Sequence, residues 1–103
     1  MRVKWRLLAE EDYEQIVDYI AKTNLLAAIE VGDEIMRQVE GLEKFPESGR
    51  LGRIQGTREL VIGGLPYVVP YRIADSTIEI LRVFHTSRLW PVQITDLEWP
   101  TGL

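Results

Sequence analysis

The sequence predicts an α+β domain: an N-terminal strand, an antiparallel two-helix hairpin, and a three-strand antiparallel meander that completes one sheet. Three observations predict it. Val3, Trp5 and Leu7 alternate with Arg2, Lys4 and Arg6, the period of two that gives a strand one buried and one wet face. Apolar residues then recur at three- and four-residue spacing between residues 13 and 42. Finally, residues 57–62, 67–73 and 77–86 form strand-like runs separated only by Gly63-Gly64-Leu65-Pro66 and Ala74-Asp75-Ser76, links short and turn-rich enough to make hairpins.

Each element has its own justification. Glu10, Glu11 and Asp12 stand where a first helical turn would begin, and negative charge there complements the helix dipole. Tyr13, Ile16, Val17 and Ile20 continue that helix at i, i+3, i+4 and i+7, to an end near Thr23. Asn24 is a good N-cap for a second helix, which runs through Leu25, Ala28, Ile29, Gly32, Ile35, Met36, Val39 and Leu42 until Pro46 stops it. Helices joined this closely fold back on one another. Gly32 costs about 1 kcal/mol relative to Ala in a helix interior, which hints at close approach to a neighbour. Residues 47–55 read as a loop carrying Arg50 and Arg53, without the Lys-Ser/Thr ending of a phosphate-binding P-loop.

In the meander, Pro70 has no N–H to give a ladder, so a bulge or interrupted pair is expected there. The third run, Ile78-Glu79-Ile80-Leu81-Arg82-Val83-Phe84, is apolar on both parities and is expected at the sheet centre. Beyond it, Trp90-Pro91 and Trp99-Pro100 disfavour a continuous helix. Residues 1–91 are expected to form the single domain, with 92–103 as a tail.

The 103-residue chain is one domain's worth. It has no cysteine and one histidine, which removes thiolate metal sites and leaves too few ligands for zinc; no metal or cofactor is expected. No apolar run is long enough to span a membrane, and the first residues lack the pattern of a signal peptide, so a cytoplasmic protein is expected. The net charge of −4 is segregated: residues 9–47 hold eleven acidic and three basic residues, residues 48–90 six basic and three acidic. The sheet is thus basic and the helices acidic, either as ordinary solvation or as an electrostatic binding face.

No Gly-x-Ser-x-Gly elbow or dinucleotide fingerprint is present. The chemistry the inventory allows is metal-free RNA cleavage by a 2′-hydroxyl, with His85 or Glu59 moving protons and Arg58, Arg82 and Arg88 holding phosphate. Structural readings compete with each. His85 shares parity with Leu81 and Val83 and suits a hydrogen-bonded strand end. Arg82 suits a core-edge residue paired with a helix carboxylate, and Tyr67 and Tyr71 have core parity. Arg50, Arg53, Arg58 and Arg88 could also form an outward cationic patch for a target or partner. Two amphipathic helices sharing one small sheet predict an apolar strip left uncovered on the hairpin.

Gly56-Thr57-Arg58-Glu59-Leu60, Tyr67-Val68-Val69-Pro70-Tyr71-Arg72 and Leu81-Arg82-Val83-Phe84-His85-Thr86-Ser87-Arg88, followed by Trp90-Pro91, resemble the ParE/RelE superfamily of type II toxin–antitoxin toxins. RelE-like members, ribosome-dependent mRNA endonucleases, place cations at the positions of Glu59, Val61 and Val68, and these residues cannot hold a phosphate. Arg58, Tyr71, His85 and Arg88 match the ParE-like branch, to which the resemblance is closer. It implies a toxin that binds an essential target such as DNA gyrase, forms a hetero-oligomer with a cognate antitoxin, and needs no cofactor. The alternatives are a ribonuclease acting on mRNA at the ribosome and an inactive antitoxin-binding member. The antitoxin's flexible C-terminal region would fold across the hairpin and sheet.

Overall fold

A computed structural model describes residues 1–87, which fold as the expected strand, helical hairpin and meander. The elements are β1 (Arg2–Trp5), α1 (Leu7–Ala21), α2 (Leu25–Glu40), a 3₁₀ turn (Gly41–Glu43), β2 (Arg50–Leu51), β3 (Arg58–Val61), β4 (Tyr67–Ala74), β5 (Thr77–Ile80) and β6 (Phe84–His85). The strand order is β1-β5-β4-β3-β2, with β6 pairing β4 beyond the end of β5. β1 lies parallel to β5 and every other pair is antiparallel, so the sheet is mixed.

Three local expectations are corrected. α1 begins at Leu7 rather than at Glu10, because Arg6 is already the extended N-cap residue and the good helix formers Leu7-Leu8-Ala9 follow directly. Within the loop at 47–55, Arg50 and Leu51 pair with β3 as a short edge strand. The sheet centre is β4 rather than the third run: β2 adds outside β3 while β1 adds outside β5, leaving β5 next to the edge strand.

Asn24 caps α2 as expected, its Oδ1 accepting from the Ala27 N–H at 2.9 Å. Gly32 is a close approach of the two helices: a Cβ there would lie 2.8 Å from the Tyr13 hydroxyl and 3.2 Å from Val17 Cγ2. Around Pro70 the third run breaks. β4–β5 pairing ends at Tyr71↔Ile80 and β4–β6 pairing resumes at Val68↔Phe84, so Leu81, Arg82 and Val83 oppose only Val69 and Pro70. Pro70's carbonyl accepts from Leu81 N–H, so its missing donor faces the same neighbour, and the extra residue absorbs the defect as a bulge.

The helices cover one face of the sheet. Ile35, Val39, Ile78, Ile80, Val69 and Tyr71 form the centre of that core, while Val68, Leu81 and Phe84 make a smaller cluster under Ile54 on the other face. No described helix is long and apolar enough to cross a membrane. Residues 88–103, including Arg88, the end of the expected domain and the whole tail, lie outside the described residues.

Candidate functional site

The candidate residues fall into two groups on opposite flanks of β4. The first holds the segment between the 3₁₀ turn and β3. Glu59 is buried, and its carboxylate accepts from Arg50 Nε at 2.9 Å and from the Arg53 backbone N–H at 3.0 Å. Tyr71 donates to the Pro46 carbonyl at 2.8 Å and accepts from the Gly49 N–H at 3.0 Å. Burial pushes the Tyr71 phenol up, keeping it neutral and able to donate. Arg58 Nη1 donates to the carbonyls of Gly49 at 2.8 Å and Glu47 at 3.2 Å. These side chains satisfy backbone groups that a loop tucked against a sheet would otherwise bury unpaired.

The second group lies where β6 meets α1. Arg82 grips Asp12 through Nε at 2.6 Å and Nη2 at 2.9 Å, and the Val83 N–H donates to the same carboxylate at 3.0 Å. The guanidinium carbon sits 4.7 Å from the centre of the Phe84 ring. The bulge opposite Pro70 is therefore tied to α1 by a charge-assisted fork. His85 is exposed; its Nδ1 accepts from the Ser87 N–H at 3.1 Å and lies 2.7 Å from Ser87 Oγ, while its ring stands edge-on to Tyr67 at 5.5 Å. An acceptor at Nδ1 places the proton of neutral His85 on Nε2.

Between α1 and β6 runs an open groove of about 510 Å³. The helix contributes Ile16, Tyr19 and Ile20, and the sheet side Tyr67, Val83 and Phe84, with Asp12 and His85 at its borders. Tyr19 is 75% exposed, and past the helical turn Leu25, Leu26 and Ile29 are 67%, 66% and 51% exposed. The expected uncovered apolar strip therefore occupies the tip of the hairpin, where the sheet does not reach. Helical spacing pointed to the strip; Tyr19 falls off the i, i+3, i+4 series and gave no such signal.

Among the described residues the predicted cations are not gathered into one place. Arg58 pairs across Tyr71 and His85 across Tyr67, four residues apart along β4 and on its opposite flanks, a separation of roughly 13 Å along the strand. Arg58 and Glu59 are consecutive in β3, so Arg58 lies on the helix-covered face and the Arg50–Glu59 pair on the other. The outward patch expected of Arg50, Arg53 and Arg58 is thus divided between two faces, and Arg58 is half-buried against the loop. The sequence pattern gives Asp12 only a helix-dipole role; its partner is seventy residues away, a separation that no local pattern reveals. Among the described residues no group of three His, Cys, Asp or Glu could hold a metal ion.

A family profile described as the ParE toxin of type II toxin–antitoxin system, parDE, matches residues 3–90. The protein Y4kP of Sinorhizobium fredii is 43% identical over 90 residues, covering 87% of this chain and 93% of its own. Toxin RelE2 of Caulobacter vibrioides is 39% identical over 85 residues, covering 82% and 92%. Among solved structures, the chromosomal ParDE system of P. aeruginosa superposes with a TM-score of 0.76 at 27% identity, covering 82% of this chain and 95% of that one. The RelBE2 toxin–antitoxin complex of Mycobacterium tuberculosis gives 0.53 at 28% identity, with the same coverage.

Proposed function

The chain belongs to the ParE toxin family of type II toxin–antitoxin systems, and from that premise we propose that it arrests growth by binding an essential target, DNA gyrase, and that a cognate antitoxin releases the arrest. The observation that carries a binding mode is the use of the polar side chains. Glu59, Arg58 and Tyr71 hold the backbone of residues 46–53, and Arg82 holds Asp12. A ribonuclease of this fold needs an acid, a base and phosphate-holding cations within reach of one 2′-hydroxyl. Here His85 and Arg58 stand on opposite flanks of β4, four residues apart along it.

In this reading the antitoxin's seat is the hairpin tip and the adjoining groove. Leu25, Leu26, Ile29 and Tyr19 give an amphipathic helix an apolar seat that the sheet leaves open. Cytoplasmic action follows from such a target. The deciding experiment compares gyrase supercoiling with ribosome-dependent mRNA cleavage, using purified protein with and without antitoxin. Inhibited supercoiling that the antitoxin reverses supports the reading; mRNA cleavage with supercoiling intact overturns it in favour of a RelE-like endonuclease.

A further inference from the structure

The corner where β1, α1 and α2 meet holds an open notch of about 420 Å³ that shares no residue with the groove between α1 and β6. Trp5, Tyr13 and Met36 line it, each half-buried, and Glu10 and Glu14 border it. The Trp5 and Tyr13 rings lie 5.7 Å apart and at 69° to one another, so they form two walls of a corner rather than a stacked slab.

The charge around these rings has one sign. Glu10 and Glu14 stand four residues apart on one face of α1, where like charges repel. Both are exposed, and neither carboxylate has an ion pair or hydrogen bond among the described residues. Asp33 adds a third negative charge from α2: burial first, and then this carboxylate, push the Tyr13 phenol up. Neither helix supplies a cation to answer them. α1 contains no Lys or Arg, and the one arginine of α2, Arg37, is held by Glu34 at 2.6 and 3.0 Å. Arg6, the basic residue closest to Glu10 in sequence, is drawn to the opposite face of the sheet, where Glu79 holds it at 3.1 Å together with Arg72. Burial alone would raise Glu79's pKa, but the hydrogen bonds from Arg72 and Arg6 outweigh it and hold the group below the usual carboxylate range.

The lining decides which cation fits. A bare metal ion does not suit it, since among the described residues no three His, Cys, Asp or Glu are grouped to hold one. A primary ammonium would lose hydration against two rings and a thioether that return few hydrogen bonds. A quaternary ammonium spreads its charge over methyl groups, needs no hydrogen bonds, and is attracted by the faces of aromatic rings.

We propose that the notch binds a small quaternary ammonium solute, with its methyl groups against Trp5, Tyr13 and Met36 and its charge facing Glu10 and Glu14. A cavity of this size takes such a molecule whole, since pockets for small ligands start at roughly 300 Å³. The bound cation also relieves the repulsion between Glu10 and Glu14, so occupancy favours the folded state. The inference uses neither the gyrase reading nor the antitoxin seat on the hairpin tip, and it stands or falls without them.

The test titrates the full-length protein at fixed ionic strength with three probes: choline, its uncharged isostere with carbon in place of the ammonium nitrogen, and ethanolamine, the same skeleton ending in a primary ammonium. NMR follows the Trp5 indole N–H and the Met36 methyl group. Choline is expected to shift both saturably and to bind at least tenfold more tightly than either comparator. The double variant E10Q/E14Q should lose at least tenfold in choline affinity without melting earlier, and Y13L should weaken binding to a similar extent. Should Y13L unfold, E10Q/E14Q decides alone, both sites being exposed. Equal binding of the neutral isostere would make the notch a plain apolar hollow, and equal binding of ethanolamine a plain acidic surface. Either result overturns the proposal, as does choline that shifts neither Trp5 nor Met36. A peptide bearing trimethyllysine that binds at least tenfold more tightly than choline would make the occupant a modified protein, which overturns the free-solute reading.

Discussion

The loop at residues 46–53 and the tip of the helical hairpin both lie at the margin of the main core, yet they are built in opposite ways. In the loop, polar side chains turn inward: Glu59, Tyr71 and Arg58 bind its carbonyls, N–H groups and an arginine. At the tip, apolar side chains turn outward, with Leu25, Leu26 and Ile29 more than half exposed. Unpaired buried backbone is costly, so the loop's charges serve the fold. Uncovered apolar side chains give the fold nothing, and they gain only when a partner removes them from water. A cluster of charge is thus the weaker pointer to an interface here.

The sharpest break in that contrast is Glu59→Ala. It strips the acceptor from the Arg53 N–H and the partner from Arg50, and should cost about 2–3 kcal/mol by chemical denaturation, discounted for the half-exposed arginine. Tyr71→Phe removes one donor and one acceptor from the loop and should cost about 1–2 kcal/mol, with faster exchange at the Gly49 amide. At the tip the balance reverses. Replacing Leu25, Leu26 and Ile29 together by Ser should leave stability within about 1 kcal/mol, since each exposed position contributes little, while antitoxin affinity falls at least tenfold by titration calorimetry. His85→Ala should leave growth inhibition in place, because an exposed ring bonded to Ser87 is a strand-end feature; lost toxicity with unchanged melting would favour a catalytic histidine.

The smallest effect concerns pH. Glu79's folded pKa is lowered, so its contribution is fully present above the unfolded carboxylate value of about 4.3 and is lost as pH falls through the lower folded value. Glu79→Gln should therefore be less stable than the parent near neutrality and approach it in acid. Parallel acid melts that keep a constant gap would remove Glu79 from the acid response.

Element types were legible from local signals: the alternation in β1, the Asn24 cap and the defect at Pro70 all act within a few residues, whereas α2 ends at Glu40, short of the expected stop at Pro46, and passes into the 3₁₀ turn at Gly41–Glu43. What escaped was long-range. β1 settled beside β5 and β2 beside β3, and pairing partners outside a hairpin leave no mark in local periodicity. Likewise the arginines announced themselves as cations, but Asp12 for Arg82 and the carbonyls of Glu47 and Gly49 for Arg58 became visible only in three dimensions. The exposed strip was foreseeable because it follows from proportion: two amphipathic helices carry more apolar surface than this sheet can cover.

Hydrogen exchange of the full chain with and without its cognate antitoxin bears most directly on the division between fold-holding charges and a partner-holding tip. Exchange across residues 19–29 should slow strongly on binding, while residues 46–53, already held by Glu59, Arg58 and Tyr71, should change little. Unchanged exchange at 19–29 together with new protection confined to 46–53 would contradict that division and return the binding role to the basic loop.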